Sequence, residues 1–214
     1  MIVYTAITNE DSLLEQPSAV CVPGVKFYAF ANRVRPSETW EILPVANSPF
    51  DSRLNTIYHK VCPHLIFPQE EVSLWIDRKL RFSFGTSVLK WADYLLDNVD
   101  IAIFPHDEQH CIYQHAASCI HEHPADRSAI RAQIYHYTQE LCPANIGLAD
   151  CRVILRRHSD AMRQFNELWW SEILKTSPMD GISFSYLLWR TGMKVRYFPG
   201  TISDGSLFQY PPPK

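Results

Sequence analysis

A charge-free run of five residues, Val72-Ser73-Leu74-Trp75-Ile76, stops abruptly at Asp77-Arg78-Lys79. A short apolar run bounded by polar residues suits a central strand covered on both faces, and such strands belong to sheets flanked by helices. Similar β-rich segments recur at 2–7 (IVYTAI), 25–32 (VKFYAFAN), 40–46 (WEILPVA), 101–104 (IAIF), 152–155 (RVIL) and 194–198 (KVRYF). Pro44 places the third near an edge or a strand end. Between them lie helical patterns: about 51–65 with Asp51 as N-cap, 87–97 capped by Ser87, 109–121 and 127–141. Another starts at Ser159, with Met162, Phe165, Leu168, Trp169 and Ile173 on one face. The last opens as a capping-box-like start at Ser177-Pro178-Met179-Asp180 and runs to about Arg190. Strands alternating with helices predict an α/β domain with a mixed, mostly parallel sheet.

The bulk properties exclude several classes. With 20 Lys and Arg against 23 Asp and Glu, the formal net charge is −3, so no general attraction to nucleic acid is expected. No apolar run approaches the roughly 18 residues of a membrane span. The opening MIVYTAITNEDS lacks the basic start of a signal peptide, and a cytoplasmic site is the default expectation. The six cysteines, at 21, 62, 111, 119, 142 and 151, include no CxxC pair and are expected as reduced, mostly buried thiols. The terminal SLFQYPPPK predicts a domain over 1–205 and a Pro-rich linker over 206–214 leading to a further domain.

Ligands of open α/β sheets bind beyond the carboxyl ends of the strands. That rule singles out Thr5–Asn9, Asp77 and Arg156–His158. A carboxylate at a strand end can hold Mg²⁺ or Mn²⁺ against a diphosphate, and the ion then neutralises the leaving group as a Lewis acid. If the strand continued, Lys79 would share the face of Asp77 and meet a phosphate. Arg53 and Lys60, seven residues apart, share one helical face and would clamp a diphosphate. Asp180 would stabilise an oxocarbenium-like sugar, or serve only as a helix cap. His158 would contact acceptor or phosphate, or belong to a surface basic cluster. The stretch 106–123 holds five histidines and two cysteines, with Cys111, His115 and Cys119 on one helical face. It lacks the second compact ligand pair typical of zinc. There is no GxGxxG, P-loop or GxSxG.

Several blocks occur in a telling order: Tyr4-Thr5-Ala6-Ile7-Thr8, Trp40-Glu41-Ile42, Arg53 with Lys60, Leu74-Trp75-Ile76-Asp77, His106 with Cys111-Ile112-Tyr113, Ile154-Leu155-Arg156-Arg157-His158, Asn166 to Ile173, and Asp180-Gly181-Ile182-Ser183-Phe184. This series resembles a glycosyltransferase-like domain family of plant cell-wall and mucilage proteins with microbial and viral relatives. The likeness extends over about residues 2–198. It implies a GT-A fold, a UDP-sugar donor, a glycan or glycoprotein acceptor and a divalent ion, usually Mn²⁺. The viral relatives include capsid-glycosylating enzymes of chlorella viruses. Likeness to them implies UDP-glucose or UDP-rhamnose, retention of configuration and a host-cytoplasmic site. Two departures stand out. Asp77-Arg78-Lys79 replaces the usual Asp-x-Asp, and Met179-Asp180-Gly181 replaces an Arg-Asp-Gln block.

The combined expectation is a metal-dependent glycosyltransferase. Thr5, Ala6 and Thr8 would lie against uracil and ribose, Asp77 would hold the metal, and Arg53, Lys60, Lys79 and Arg156 would bind the donor. Asp180 and His158 would face sugar and acceptor. Two rivals differ in class: a nucleotide-sugar-binding module without catalysis, and a zinc-dependent hydrolase built on 106–123.

Overall fold

In a computed structural model of the chain, residues 1–8, 24–33, 37–45, 49–83 and 88–210 are described. The Val72–Ile76 run is indeed central: it forms β4, fourth of seven strands in the main sheet. The other strands are β1 (Ile2–Ile7), β2 (Lys26–Ala31), β3 (Glu41–Pro44), β6 (Ile101–Pro105), β7 (Ala149–Arg157) and β8 (Arg196–Tyr197), in the order β3-β2-β1-β4-β7-β6-β8. Pro44 ends the edge strand β3, where a missing N–H costs little. A small second sheet pairs β5 (Arg81–Phe82) with β9 (Phe208–Gln209).

Six strands of the main sheet run one way and β7 runs against them. β1 pairs parallel with β2 and β4, β2 with β3 and β6 with β8, while β7 is antiparallel to both β4 and β6. Strand direction decides which end of β7 faces the ligand side. Its amino end, Ala149–Arg152, adjoins Asp77, whose N–H donates to the Arg152 carbonyl at 2.7 Å. Its carboxyl end lies at the far edge, with Arg156 opposite Ser73 and Ile101 at the starts of β4 and β6.

Alternation along β1 divides the interior in two. Ile2, Tyr4 and Ala6 enter a core with Trp75, Ile154, Phe165, Trp169 and Phe184. That face is covered by α1 (Ser52–Val61), the short α2 (Pro63–Ile66), α4 (Ile112–Glu122), α5 (Arg127–Gln139), α6 (Asp160–Lys175) and α7 (Asp180–Thr191). A 3₁₀ turn, Pro124–Asp126, links α4 to α5. Val3 points the other way, into a core with Leu74, Phe82, Phe104, Phe198 and Phe208 that is covered by α3 (Val88–Leu95).

The caps explain where the site helices start. Asp51 Oδ1 accepts from Leu54 N at 2.8 Å and opens α1. Ser159 Oγ accepts from Met162 N at 3.2 Å and opens α6. Each such cap stabilises by about 1 kcal/mol. The start of α7 departs from the capping-box expectation. Met179 occupies the cap position without a side-chain bond, and Pro178 stands outside the helix. Ser177 Oγ instead donates to Gln133 Oε1 at 2.5 Å and accepts from Met179 N at 3.3 Å, so the turn is held from α5. Gly192, at φ 67°, closes α7 in the left-handed conformation that favours glycine.

The expected boundary at 205 also shifts. Leu207 and Phe208 are buried and β9 pairs with β5, so the segment to Gln209 is part of the fold. The proline triplet and Ser87 lie outside the described residues. The five described cysteines are buried free thiols, and no helix among the described residues is long and apolar enough to cross a membrane.

Candidate functional site

The carboxyl ends of β1, β4 and β6, the amino end of β7 and the start of α7 meet on one side of the sheet. Lys60 and Asp180 form the centre. Lys60 Nζ and the Asp180 carboxylate are ion-paired, with side-chain exposures of 12% and 22%. The ammonium also lies over the Trp75 ring, 5.6 Å from its centroid. Burial works against the Lys60 charge, but Asp180, Cys151 and Asp77 outweigh it and hold the amine above its ordinary pKa. Helical Cβ atoms tilt toward the N-terminus. Lys60, near the end of α1, therefore extends back toward the crevice.

Asp180 is the first residue of α7, where a negative charge meets the positive helix end. Its Oδ1 accepts from Gly181 N at 2.9 Å, and Trp169 Nε1 donates to its carbonyl at 3.2 Å. Glycine at 181 has a packing reason: a Cβ there would stand 3.3 Å from the Ala149 carbonyl. A side chain would crowd α7 against β7.

Asp77 is half-buried at the exit of β4. The strand does not continue, and this corrects the expected role of Lys79. Asp77 Oδ1 accepts from Lys79 N at 2.9 Å and Leu80 N donates to the Asp77 carbonyl at 2.9 Å, so the chain turns and leaves Lys79 exposed. Among the described residues, no three His, Cys, Asp or Glu side chains gather into a metal site. One carboxylate with an oxygen partly engaged fits a divalent ion only where phosphate oxygens and water complete the shell, an arrangement usual for Mg²⁺ beside nucleotides.

Arg53 shares the helical face of Lys60, as their spacing predicts. Its guanidinium is paired with Asp126 and reaches Met179 Sδ at 3.7 Å. Both cations of α1 therefore face the Met179–Asp180 turn.

The Thr5–Thr8 expectation needs correction at the side-chain level. Thr5 and Ala6 are fully buried in the sheet. Thr8 is 5% exposed, with its hydroxyl committed to the Ser52 carbonyl and to Thr56 Oγ1 at 2.6 Å. A base lying against this strand end would meet main chain. Asn9 lies outside the described residues.

Arg156 and His158 are the larger correction. The rule about strand carboxyl ends holds for parallel strands, and β7 is antiparallel. His158 is buried at the far edge, its N–H on the Glu71 carbonyl at 2.8 Å and its Nε2 beside Ser73 Oγ at 2.8 Å. Burial, reinforced by Arg156, His64 and Arg163, lowers its pKa to about 4. Arg156 is wholly buried and hydrogen-bonded to Tyr4 Oη at 2.6 Å, Asn166 Oδ1 at 3.2 Å, the Val61 carbonyl at 3.4 Å and the Lys60 carbonyl. Neither side chain opens to the crevice.

Three residues not expected from the sequence, Asp107, Asp150 and Arg152, stand there instead. A cleft of about 360 Å³ beside Gly181 is lined by His106, Asp107, His115, Asp150 and Arg152. Arg152 Nε donates to both Asp150 oxygens at 2.8 Å, and the guanidinium also reaches Asp107 at 3.3 Å and Tyr210 Oη. Asp107 additionally accepts from Ser203 Oγ. The available signal was Asp150-x-Arg152, two residues on one face of a strand. It pointed to the site only once the direction of β7 was known. The histidines of 106–123 do not form a zinc site. Cys119 joins the core, Cys111 is buried at the cap position of α4, His110, His121 and His123 are exposed, and His115 is turned to Gln109 Oε1 at 2.7 Å.

The sheet order and the crevice define a GT-A-like domain. Mouse xyloside xylosyltransferase 1 has a similar fold, with a TM-score of 0.52 at 12% identity over 92% of this chain and 83% of that one. A family model described as TOD1/MUCI70, glycosyltransferase-like domain, matches residues 26–201, and the chain belongs to that family. The relatives of this kind include the probable hexosyltransferase MUCI70 of Arabidopsis thaliana, 28% identical over 155 residues. They also include the alkaline ceramidase TOD1 of the same plant, 21% identical over 229 residues. These matches cover 68% and 92% of this chain but only 27% and 50% of the relatives, so the chain spans half their length or less. A glycosyltransferase involved in the glycosylation of the major capsid of PBCV-1 aligns at a TM-score of 0.43 and 11% identity, over 89% of this chain and 79% of that one. That score is too low to carry the viral expectation.

Proposed function

We propose that this chain is a glycosyltransferase that moves a hexose from a nucleoside diphosphate sugar, UDP-glucose or UDP-rhamnose, to a glycan or glycoprotein acceptor. One observation carries the reading: the Lys60–Asp180 ion pair sits over Trp75 and beside Asp77, at the carboxyl ends of the strands, next to a polar cleft. An ammonium preorganised in a half-buried place suits a departing diphosphate, because it acts where charge develops and needs little rearrangement. Asp180 would release Lys60 to the phosphate and face the electron-poor anomeric carbon. The cleft beside Gly181, with carboxylates and imidazoles as hydroxyl partners, would hold the sugar or acceptor. Mn²⁺ or Mg²⁺ would be bound by Asp77 together with the donor's diphosphate, and would supply Lewis-acid neutralisation of the leaving group.

Calorimetry with UDP-glucose and UDP-rhamnose, with and without Mn²⁺, followed by assay of free sugar, tests this. Binding strengthened by the ion and slow release of sugar are expected. The absent second acid of Asp77-Arg78-Lys79 favours one other reading, a binding module without catalysis. Tight donor binding with no sugar released to water or to any glycan would select it.

A further inference from the structure

The Arg156-Arg157-His158 block remains without a part in the crevice, yet Arg156 buries an entire guanidinium. Burying a cation costs heavily unless its donors are satisfied; both terminal nitrogens of Arg156 find acceptors, while its Nε has none among the described residues. Two of its acceptors are the carbonyls of Lys60 and Val61, the last two residues of α1. The final carbonyls of a helix have no partner within it and carry its negative end. A planar fork of donors meets that need, and Arg presents one. Tyr4 Oη completes the arrangement by accepting from Arg156 and donating to the Lys60 carbonyl at 3.1 Å. Asn166 supplies the remaining side-chain acceptor.

The same residue, Lys60, therefore carries two opposed fastenings. Its carbonyl is held from β7 and β1, while its side chain crosses Trp75 and ends on Asp180. The reach of the ammonium depends on where the last turn of α1 is fixed. From this geometry we infer that Arg156, assisted by Tyr4, is a positioning residue: it sets the Lys60 ammonium against Asp180 by capping the carboxyl end of α1. The consequence for donor binding rests on the proposed function; the positioning does not.

Two variants test it, Arg156→Lys and Tyr4→Phe. Lysine keeps the cation but cannot fork to two carbonyls, a tyrosine and an asparagine together. Phenylalanine removes only the hydroxyl. The first measurement is the rate of amine labelling at Lys60, read by mass spectrometry against exposed Lys79 in the same chain. Labelling of Lys60 should rise about five-fold in Tyr4→Phe, the factor worth one ordinary hydrogen bond, and further in Arg156→Lys. Unchanged labelling in folded variants would overturn the inference. Should Arg156→Lys fail to fold, the milder Tyr4→Phe still decides it.

The second measurement is UDP affinity in wild type, Arg156→Lys, Lys60→Ala and the double variant. If Arg156 acts through Lys60, its loss of affinity disappears in the Lys60→Ala background. An equal loss in both backgrounds means general support, and the positioning role fails. Faster labelling with no UDP binding even in wild type would sustain the positioning and sink the nucleotide reading.

Discussion

The two ends of the main sheet are both rich in polar side chains, yet they are built for different purposes. At the far edge, Arg156, Tyr4, Asn166, Ser73 and His158 are buried and joined to one another and to the backbone, with Arg156 Nε and His158 Nδ1 left without a partner among the described residues. At the crevice, Lys60 pairs with Asp180 and Arg152 with Asp150, Asp77 accepts from Lys79 N, and Asp150 and Arg152 line an open cleft. Polar groups sealed from water must satisfy one another, and there they fix geometry. Polar groups paired at the wall of a cleft can exchange partners when a ligand arrives. Residue type does not separate the two sets, since each contains cations and hydrogen-bonding partners.

Substitution should split activity from stability along this line. The largest effect is expected for Asp77→Ala. Release of sugar from a UDP-sugar should fall by roughly 10²–10³-fold, the scale of a lost electrostatic stabiliser. Its unfolding free energy should stay within about 0.5 kcal/mol of wild type. Urea denaturation beside the activity assay checks both. Full activity would erase the contrast from the crevice side.

At the other end, Arg156→Met should cost roughly 3 kcal/mol in urea denaturation, because it takes the guanidinium donors from the Val61 carbonyl and Asn166 Oδ1 and leaves the Lys60 carbonyl with Tyr4 Oη. A stability equal to wild type would show that the buried network is not structural.

Acid should reach the far edge through His158. Burial holds the folded pKa at about 4, while the unfolded chain binds the proton near about 6.5. The native state is then fully favoured above about pH 6.5 and loses stability as pH falls toward about 4, by roughly 3 kcal/mol for this group. His158→Gln should flatten that slope in a pH series of denaturation curves. His59, His64 and His115 are shifted down as well, burial being the first cause in each, so part of the slope should persist.

The smallest effect is assigned to Lys79→Ala. On an exposed turn it should change UDP affinity by no more than about 0.5 kcal/mol, far less than Lys60→Ala in the same titration. A larger loss would return Lys79 to the donor site.

Much of this was legible in order of residues, and some was not. The strands at 2–7 and 72–76, the Asp51 and Ser159 caps and the shared face of Arg53 and Lys60 follow from periodicity and side-chain chemistry. These features need only neighbours in the chain. Lys79 leaves the face of Asp77 because a turn, not a continued strand, follows Asp77. Asp150 and Arg152 carry no local sign of their place, because nothing local reveals which end of a strand reaches the crevice.

By itself the sequence determined an α/β sandwich, a carboxylate ending its central strand and two cations on one face of α1. Periodicity and capping are short-range, and the chain carries them whatever its topology. Only the tertiary structure decided that β7 runs against its neighbours. That reversal sent Arg156 and His158 to the far edge and brought Asp150 and Arg152 to the cleft, while the packing of α1 and α7 set Lys60 on Asp180 across 120 residues of chain. Pairing direction is a long-range property, fixed by which hydrogen-bond ladders and cores can close together, and no local segment encodes it.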